Sequence, residues 1–140
     1  MNNSNTVSDL YKKLIEEGAV VEDHGQLNAI SALDKLYNQI NAKNNLRNIF
    51  SRKKNMGVYI YGKVGRGKSY IMDLFYKLIQ DKRCMRVHQH DFMKNIYEYM
   101  KISRLSNHKN PLKFAIDKMT KDINLLCVDE FEVLDVADAM

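Results

Sequence analysis

The sequence predicts an α/β fold, a parallel sheet with flanking helices preceded by a helical N-terminal segment. Short β-branched and aromatic runs alternate with stretches of helical spacing, and a glycine-rich turn joins one such run to the helix after it. The 140 residues are 45% hydrophobic and 28% charged, a globular composition with enough apolar material for a core. The longest apolar runs, residues 58–61 and 125–128, fall far short of the roughly 20 residues that cross a bilayer. The first ten residues lack the basic start and apolar stretch of a secretory signal, and the first arginine is Arg47. A cytoplasmic location is therefore expected. Cys84 and Cys127 make no CxxC pair and read as reduced, small buried hydrophobes.

Taken in order, Val7, Leu10, Tyr11, Leu14 and Ile15 follow helical spacing, with Gly18 as a natural stop. Leu27, Ile30, Leu33, Leu36, Tyr37 and Ile40 form the stripe of a second helix. Residues 41–57 then carry Lys43, Arg47, Arg52, Lys53 and Lys54 without an acid. With a net charge of +5 and a pI near 9.1, this run favours anionic partners; a solvated connector is the first reading and nucleic-acid contact the lesser one. Val58, Tyr59, Ile60 and Tyr61 read as a buried strand. Ile71, Leu74, Phe75, Leu78 and Ile79 predict an amphipathic helix over residues 69–80, packed on that strand. Residues 86–90 predict a second strand, residues 92–100 a helix, and residues 112–119 another helix opened by Pro111. Residues 125–128 give a third strand. The expected division is a helical segment with a basic connector at 1–56 and a partial nucleotide-binding core at 57–140.

The chemistry concentrates at two strand ends, where open parallel sheets bind ligands. Gly62, Lys63, Val64, Gly65, Arg66, Gly67, Lys68 and Ser69 match G-x-x-x-x-G-K-[ST] without exception. The glycines let the backbone wrap around phosphate and present N–H groups at a helix N-terminus. Lys68 would reach the β- and γ-phosphates of ATP, and Ser69 would offer its hydroxyl to Mg²⁺. A chance match in a chain this long is roughly half a percent, so the motif is a strong sign of a P-loop NTPase. Leu125, Leu126, Cys127, Val128, Asp129 and Glu130 have the form of a Walker B element. In that role Asp129 is directed at Mg²⁺ and Glu130 at the attacking water. His88 and His90, on one face of the predicted strand with Cys84 upstream, suggest zinc only weakly, since no fourth ligand is signalled. Phe92, Tyr97 and Tyr99 read as helix decoration before they read as a base-stacking platform.

With these residues in view, the chain resembles the ZapE-like family of AAA+-related P-loop ATPases. The selective strings are residues 57–69 continued by Met72, Asp73, Leu74, Phe75 and Tyr76, then His88-Gln89-His90-Asp91-Phe92-Met93, then Cys127-Val128-Asp129-Glu130-Phe131 running on to Met140. Asp23-His24-Gly25-Gln26 is similar to the family's Asp-x-x-Gln element, which implies a place for Gln26 near the nucleotide. Asp91 stands where the family typically carries a basic residue. The resemblance implies ATP hydrolysis with Mg²⁺, Lys68 and Glu130 as catalytic residues, and remodelling of a protein assembly, the tubulin-like division protein FtsZ being the bacterial partner. It is compatible with a homo-oligomer.

The chain ends at Met140, soon after Glu130, whereas the family's sheet has a further strand between the P-loop and Walker B strands, and its sensor residues and arginine finger lie later. Residues 58–61 and 125–128 are therefore expected to present unpaired edges. The 140-residue chain is expected to be marginally stable and weak in hydrolysis. The alternative is a truncated, non-catalytic fragment that binds nucleotide weakly or acts only as an interaction module.

Overall fold

The computed structural model describes residues 6–43, 57–79 and 83–131. The chain divides into two compact units, Met1–Gln80 and Asp81–Met140.

In Met1–Gln80, helix α1 (Val7–Glu16) is opened by Thr6, whose hydroxyl accepts from the Asp9 N–H at 3.1 Å. It closes at Gly18, whose φ of +71° lets the Ala19 N–H bond back to the Leu14 carbonyl at 2.9 Å. Helix α2 (His24–Lys43) begins at Asp23, whose Oδ1 accepts the N–H groups of Gly25 and Gln26 at 2.7 and 3.1 Å. Helix α3 (Lys68–Leu78) springs directly from the glycine-rich turn. The three helices pack on one another through Val7, Tyr11, Ile30, Leu33, Leu36, Ile71, Leu74 and Phe75, all buried. Asp34, from α2, accepts the N–H groups of Val7 and Ser8 at 2.7 and 3.3 Å and the Ser8 hydroxyl. A carboxylate thus satisfies α1's free first-turn donors from outside the helix.

Two expectations change in this unit. Val58, Tyr59, Ile60 and Tyr61 keep strand-like alternation, with Tyr59 and Tyr61 exposed and stacked on each other at 6.2 Å, yet among the described residues they pair with no strand. A strand exists only through its ladder, and none is present here. The apolar face of α3 consequently packs on α1 and α2 rather than on a P-loop strand. The N-terminal helices are the wall against which the phosphate-loop helix is built. The basic run at 41–57 lies outside the described residues except at its ends.

In Asp81–Met140, strand β1 (Cys84–His88) pairs in parallel with strand β2 (Leu125–Asp129), Cys84 opposite Leu125 and His88 opposite Asp129. Helices α4 (Gln89–Leu105) and α5 (Pro111–Thr120) connect them and pack on each other, as a parallel pair requires of its crossover. Pro111 takes the first position of α5, and Asn110 caps it by accepting from the Lys113 N–H at 3.0 Å. The parallel α/β arrangement is the expected one. The predicted strand at residues 86–90 is displaced, however, because α4 begins at Gln89 and takes His90 with it. His88 and His90 therefore share no strand face. The edge of residues 125–128 is paired on one side by β1.

Among the described residues, no helix is long and apolar enough to cross a membrane.

Candidate active site

Gly62, Gly65 and Gly67 all have positive φ, at +151°, +79° and +74°, values that side-chain-bearing residues rarely adopt. Gly67 caps α3 in the left-handed conformation, and its carbonyl receives the Ile71 N–H at 3.0 Å. The turn and the first α3 N–H groups form a cradle of backbone donors of the kind that holds phosphate. Lys68 folds back into it: its Nζ donates to the carbonyls of Gly62 and Lys63 at 2.8 and 2.9 Å. An ammonium held by two carbonyl dipoles can exchange them for phosphate oxygens without crossing apolar surface. Val64 projects into solvent, and Ser69 is the second residue of α3.

Gln26 lies against this loop. Its Nε2 donates to the Arg66 carbonyl at 3.2 Å, and its Oε1 accepts from the hydroxyl of buried Tyr11 at 2.8 Å. The Arg66 guanidinium faces Asp23 Oδ2 at 3.6 Å. A Cβ on Gly67 would stand 2.7 Å from Gln26 Nε2, so a side chain there would displace the far end of Gln26 from its place against the loop.

In the other unit, the parallel ladder brings Arg86 and His88 of β1 near Asp129 and Glu130 at the end of β2. Arg86 Nη2 donates to Asp129 Oδ2 at 2.8 Å, with Asp129 largely buried, and the Glu130 N–H donates to Asp129 Oδ1 at 3.1 Å. His88 Nδ1 lies 3.9 Å from Glu130 Oε2, both exposed. Glu130 has φ +52°, a left-handed turn that throws its carboxylate off the end of β2. Burial, then the neighbouring Cys84, with its charge and a hydrogen bond from its side chain, pushes the Cys127 thiol up to about 12. Cys127 is therefore a neutral core residue.

The geometry gathers Gly62, Lys63, Val64, Gly65, Arg66, Gly67, Lys68 and Ser69 with Gln26 in one unit, and Asp129 and Glu130 in the other. Tyr11 and Arg86 are missed in the sequence, Tyr11 because helical spacing makes it a core position. Arg86 becomes legible only through the register that places its strand beside Asp129.

Against known families, the AFG1-like ATPase model matches residues 5–140. The chain belongs to the AFG1-like ATPase family. It is 30% identical to the cell division protein ZapE of Escherichia coli K12, over 96% of this chain and 40% of ZapE. An uncharacterised Schizosaccharomyces pombe protein is 36% identical over 97% of this chain and 38% of its own length. Danio rerio lactation elevated protein 1 homolog B is 40% identical over 60% of this chain and 18% of its own length. No solved structure matches. The AFG1-like chain thus spans about 40% of the length of ZapE. The final residues of the Walker B string, 132–140, lie outside the described residues.

Proposed function

We propose that this chain is the nucleotide-binding part of an AAA+-type ATPase that hydrolyses ATP to remodel a protein assembly in the cytoplasm. The observation that carries the reading is the phosphate cradle, three positive-φ glycines leading into α3 with the Lys68 ammonium folded over loop carbonyls. Ser69 has a hydroxyl and Asp129 a carboxylate, each the kind of oxygen ligand that Mg²⁺, a hard cation, takes. When bound, Mg²⁺ would neutralise charge on the β- and γ-phosphates. In this reading Lys68 draws the phosphates into the loop, Gln26 stands at its edge, and Glu130 accepts the proton of the attacking water. The division into a helical segment with connector at 1–56 and a core at 57–140 belongs to the same reading, with α3 reaching across it to pack on α1 and α2.

The relative's name, cell division protein ZapE, supports an assembly involved in division, and the notion of FtsZ as partner rests on the family resemblance. Co-sedimentation of the chain with FtsZ polymers, dependent on ATP, tests that step.

Titration of a fluorescent ATP analogue with and without Mg²⁺ tests the core reading. Saturable, Mg²⁺-strengthened binding that Lys68→Ala weakens by more than about tenfold is expected, the loss of one charge-assisted phosphate contact. Equal binding by wild type and Lys68→Ala would overturn it. A second reading, nucleotide binding without turnover, is favoured by a specific observation: residues 58–61 form no ladder among the described residues. Steady ATP turnover by the 140-residue chain, abolished by Lys68→Ala, would remove this second reading.

A further inference from the structure

Among the described residues of Met1–Gln80, a chain of hydrogen bonds runs from the buried interior to the P-loop backbone. Tyr11 is fully buried in the α1 face. Its single hydroxyl proton serves Gln26 Oε1 at 2.8 Å, the closer of two acceptors, the other being the Val21 carbonyl at 3.4 Å. The hydroxyl oxygen also accepts the Asp23 N–H at 3.3 Å. The far end of the amide donates to the Arg66 carbonyl at 3.2 Å. Because a carbonyl can only accept, this contact fixes the amide orientation, NH₂ toward the loop, and so requires Tyr11 to donate. The relay has one direction.

Its endpoint is the peptide between Arg66 and Gly67. That unit is planar and trans, so its C=O and N–H point opposite ways. Holding the Arg66 carbonyl on Gln26 therefore aims the Gly67 N–H away from α2. Gly67, with φ +74°, is free to turn either way, and such freedom has to be removed if the amide is to face a phosphate. The Arg66 side chain is drawn to the same wall by Asp23. A variable position of the phosphate-loop motif is thus tied by its backbone to α2 and by its guanidinium to the residue that caps α2.

We propose that Tyr11, acting through Gln26, is a positioning residue of the phosphate loop: the relay presets the Arg66–Gly67 peptide for anions, and Gln26 does this in place of reading the base. The inference rests on the phosphate-loop reading above. It assigns Gln26 to the loop rather than to adenine, since both ends of its amide are engaged within the protein.

The test measures binding of a fluorescent ATP analogue and, by competition, of inorganic pyrophosphate, which has no base. Wild type, Tyr11→Phe, Gln26→Met and the double variant are compared, with thermal unfolding followed in each. Tyr11→Phe keeps the buried ring, and Gln26→Met keeps side-chain length, so one serves if the other fails to fold. Each single variant is expected to weaken both ligands by about three- to tenfold, the worth of one hydrogen bond, and the double variant no further. Equal loss for pyrophosphate separates loop positioning from base reading, and the absence of further loss when Tyr11→Phe is added to Gln26→Met is the readout that a purely structural role for α1 would not produce. Wild-type affinity in Tyr11→Phe, additive losses, or a loss for ATP without one for pyrophosphate would each overturn the proposal. Binding of neither ligand by the wild-type chain would overturn the phosphate-loop reading and this inference with it.

Discussion

The two units hold their functional groups by different means. In Met1–Gln80 the proposed phosphate-binding groups are backbone N–H donors, positioned by glycines at positive φ and steadied by Gln26 and Asp23. In Asp81–Met140 the proposed groups are carboxylates, one held by the Arg86 guanidinium of the neighbouring strand and the other beside the His88 imidazole. A backbone cradle depends on conformation, so the absence of a side chain is its main requirement. A carboxylate pair depends on charge, so what matters is the identity and reach of the residue across the ladder. The same kind of substitution should therefore fail differently in each unit.

The largest effect is expected at Gly67. Alanine there meets two costs, a left-handed backbone for a residue with a Cβ and the loss of the Gln26–Arg66 hydrogen bond, since Gln26 Nε2, 2.7 Å from that Cβ, must move away. Together these should destabilise the unit by about 2 kcal/mol or more and remove detectable nucleotide binding. Gly65, also at positive φ, has nothing within 4 Å of its would-be Cβ. Gly65→Ala should cost only the backbone term, about 1 kcal/mol. Urea unfolding of the two variants checks this; equal destabilisation would show that the approach of Gln26 is unimportant and that φ alone governs the loop.

This contrast also explains what was legible in the sequence. The phosphate loop is written as glycine spacing, because its φ values favour glycine, and α1, α2, α3 and α5 are written as periodicity, with a stop at Gly18 and a start at Pro111. The start of α4 is not: a buried Gln89 opens it, and His88 before it makes no side-chain capping hydrogen bond. An amide in a core carries no periodic signal, and so residues 86–90 read as a strand. Val58, Tyr59, Ile60 and Tyr61 have strand composition and alternation, but a ladder is a property of two segments, and composition reports on only one. Tyr11 shows the same limit on a smaller scale: spacing places its ring in the core and says nothing of where its hydroxyl points.

A smaller effect is expected across the β1–β2 ladder. Arg86→Met leaves a largely buried Asp129 carboxylate without its guanidinium, and because Arg86 is itself partly exposed the cost should be about 1–2 kcal/mol rather than the full value of a buried pair. Adding Asp129→Asn should recover much of that loss, since the uncompensated charge is what destabilises. His88→Ala, at an exposed pair 3.9 Å apart, should fall within about 0.5 kcal/mol. Denaturant midpoints of the four proteins sharpen the comparison. A double variant no more stable than Arg86→Met would mean that Arg86 acts by packing its stem and not by charge.

The smallest effect concerns the thiols between those strands. Cys127 is buried on β2, and its thiol is pushed up to about 12 by burial first and by Cys84 second. Raising an acid's folded pKa means that the folded state keeps the proton longer than the unfolded chain, whose thiol titrates near 9.0. Its contribution to stability is thus complete below about pH 9 and declines as pH rises toward 12. Cys127→Ala should lower stability modestly at pH 8 and flatten the decline between pH 9 and 11. Because the thiolate is the nucleophile, Cys127 in the folded chain should also resist iodoacetamide at pH 8 and react readily in urea. Mass spectrometry after timed alkylation reads this directly. Modification of Cys127 at the same rate with and without urea would show that the β1–β2 sheet opens freely, and the charge-based account of how Asp129 is held would lose its rigid frame.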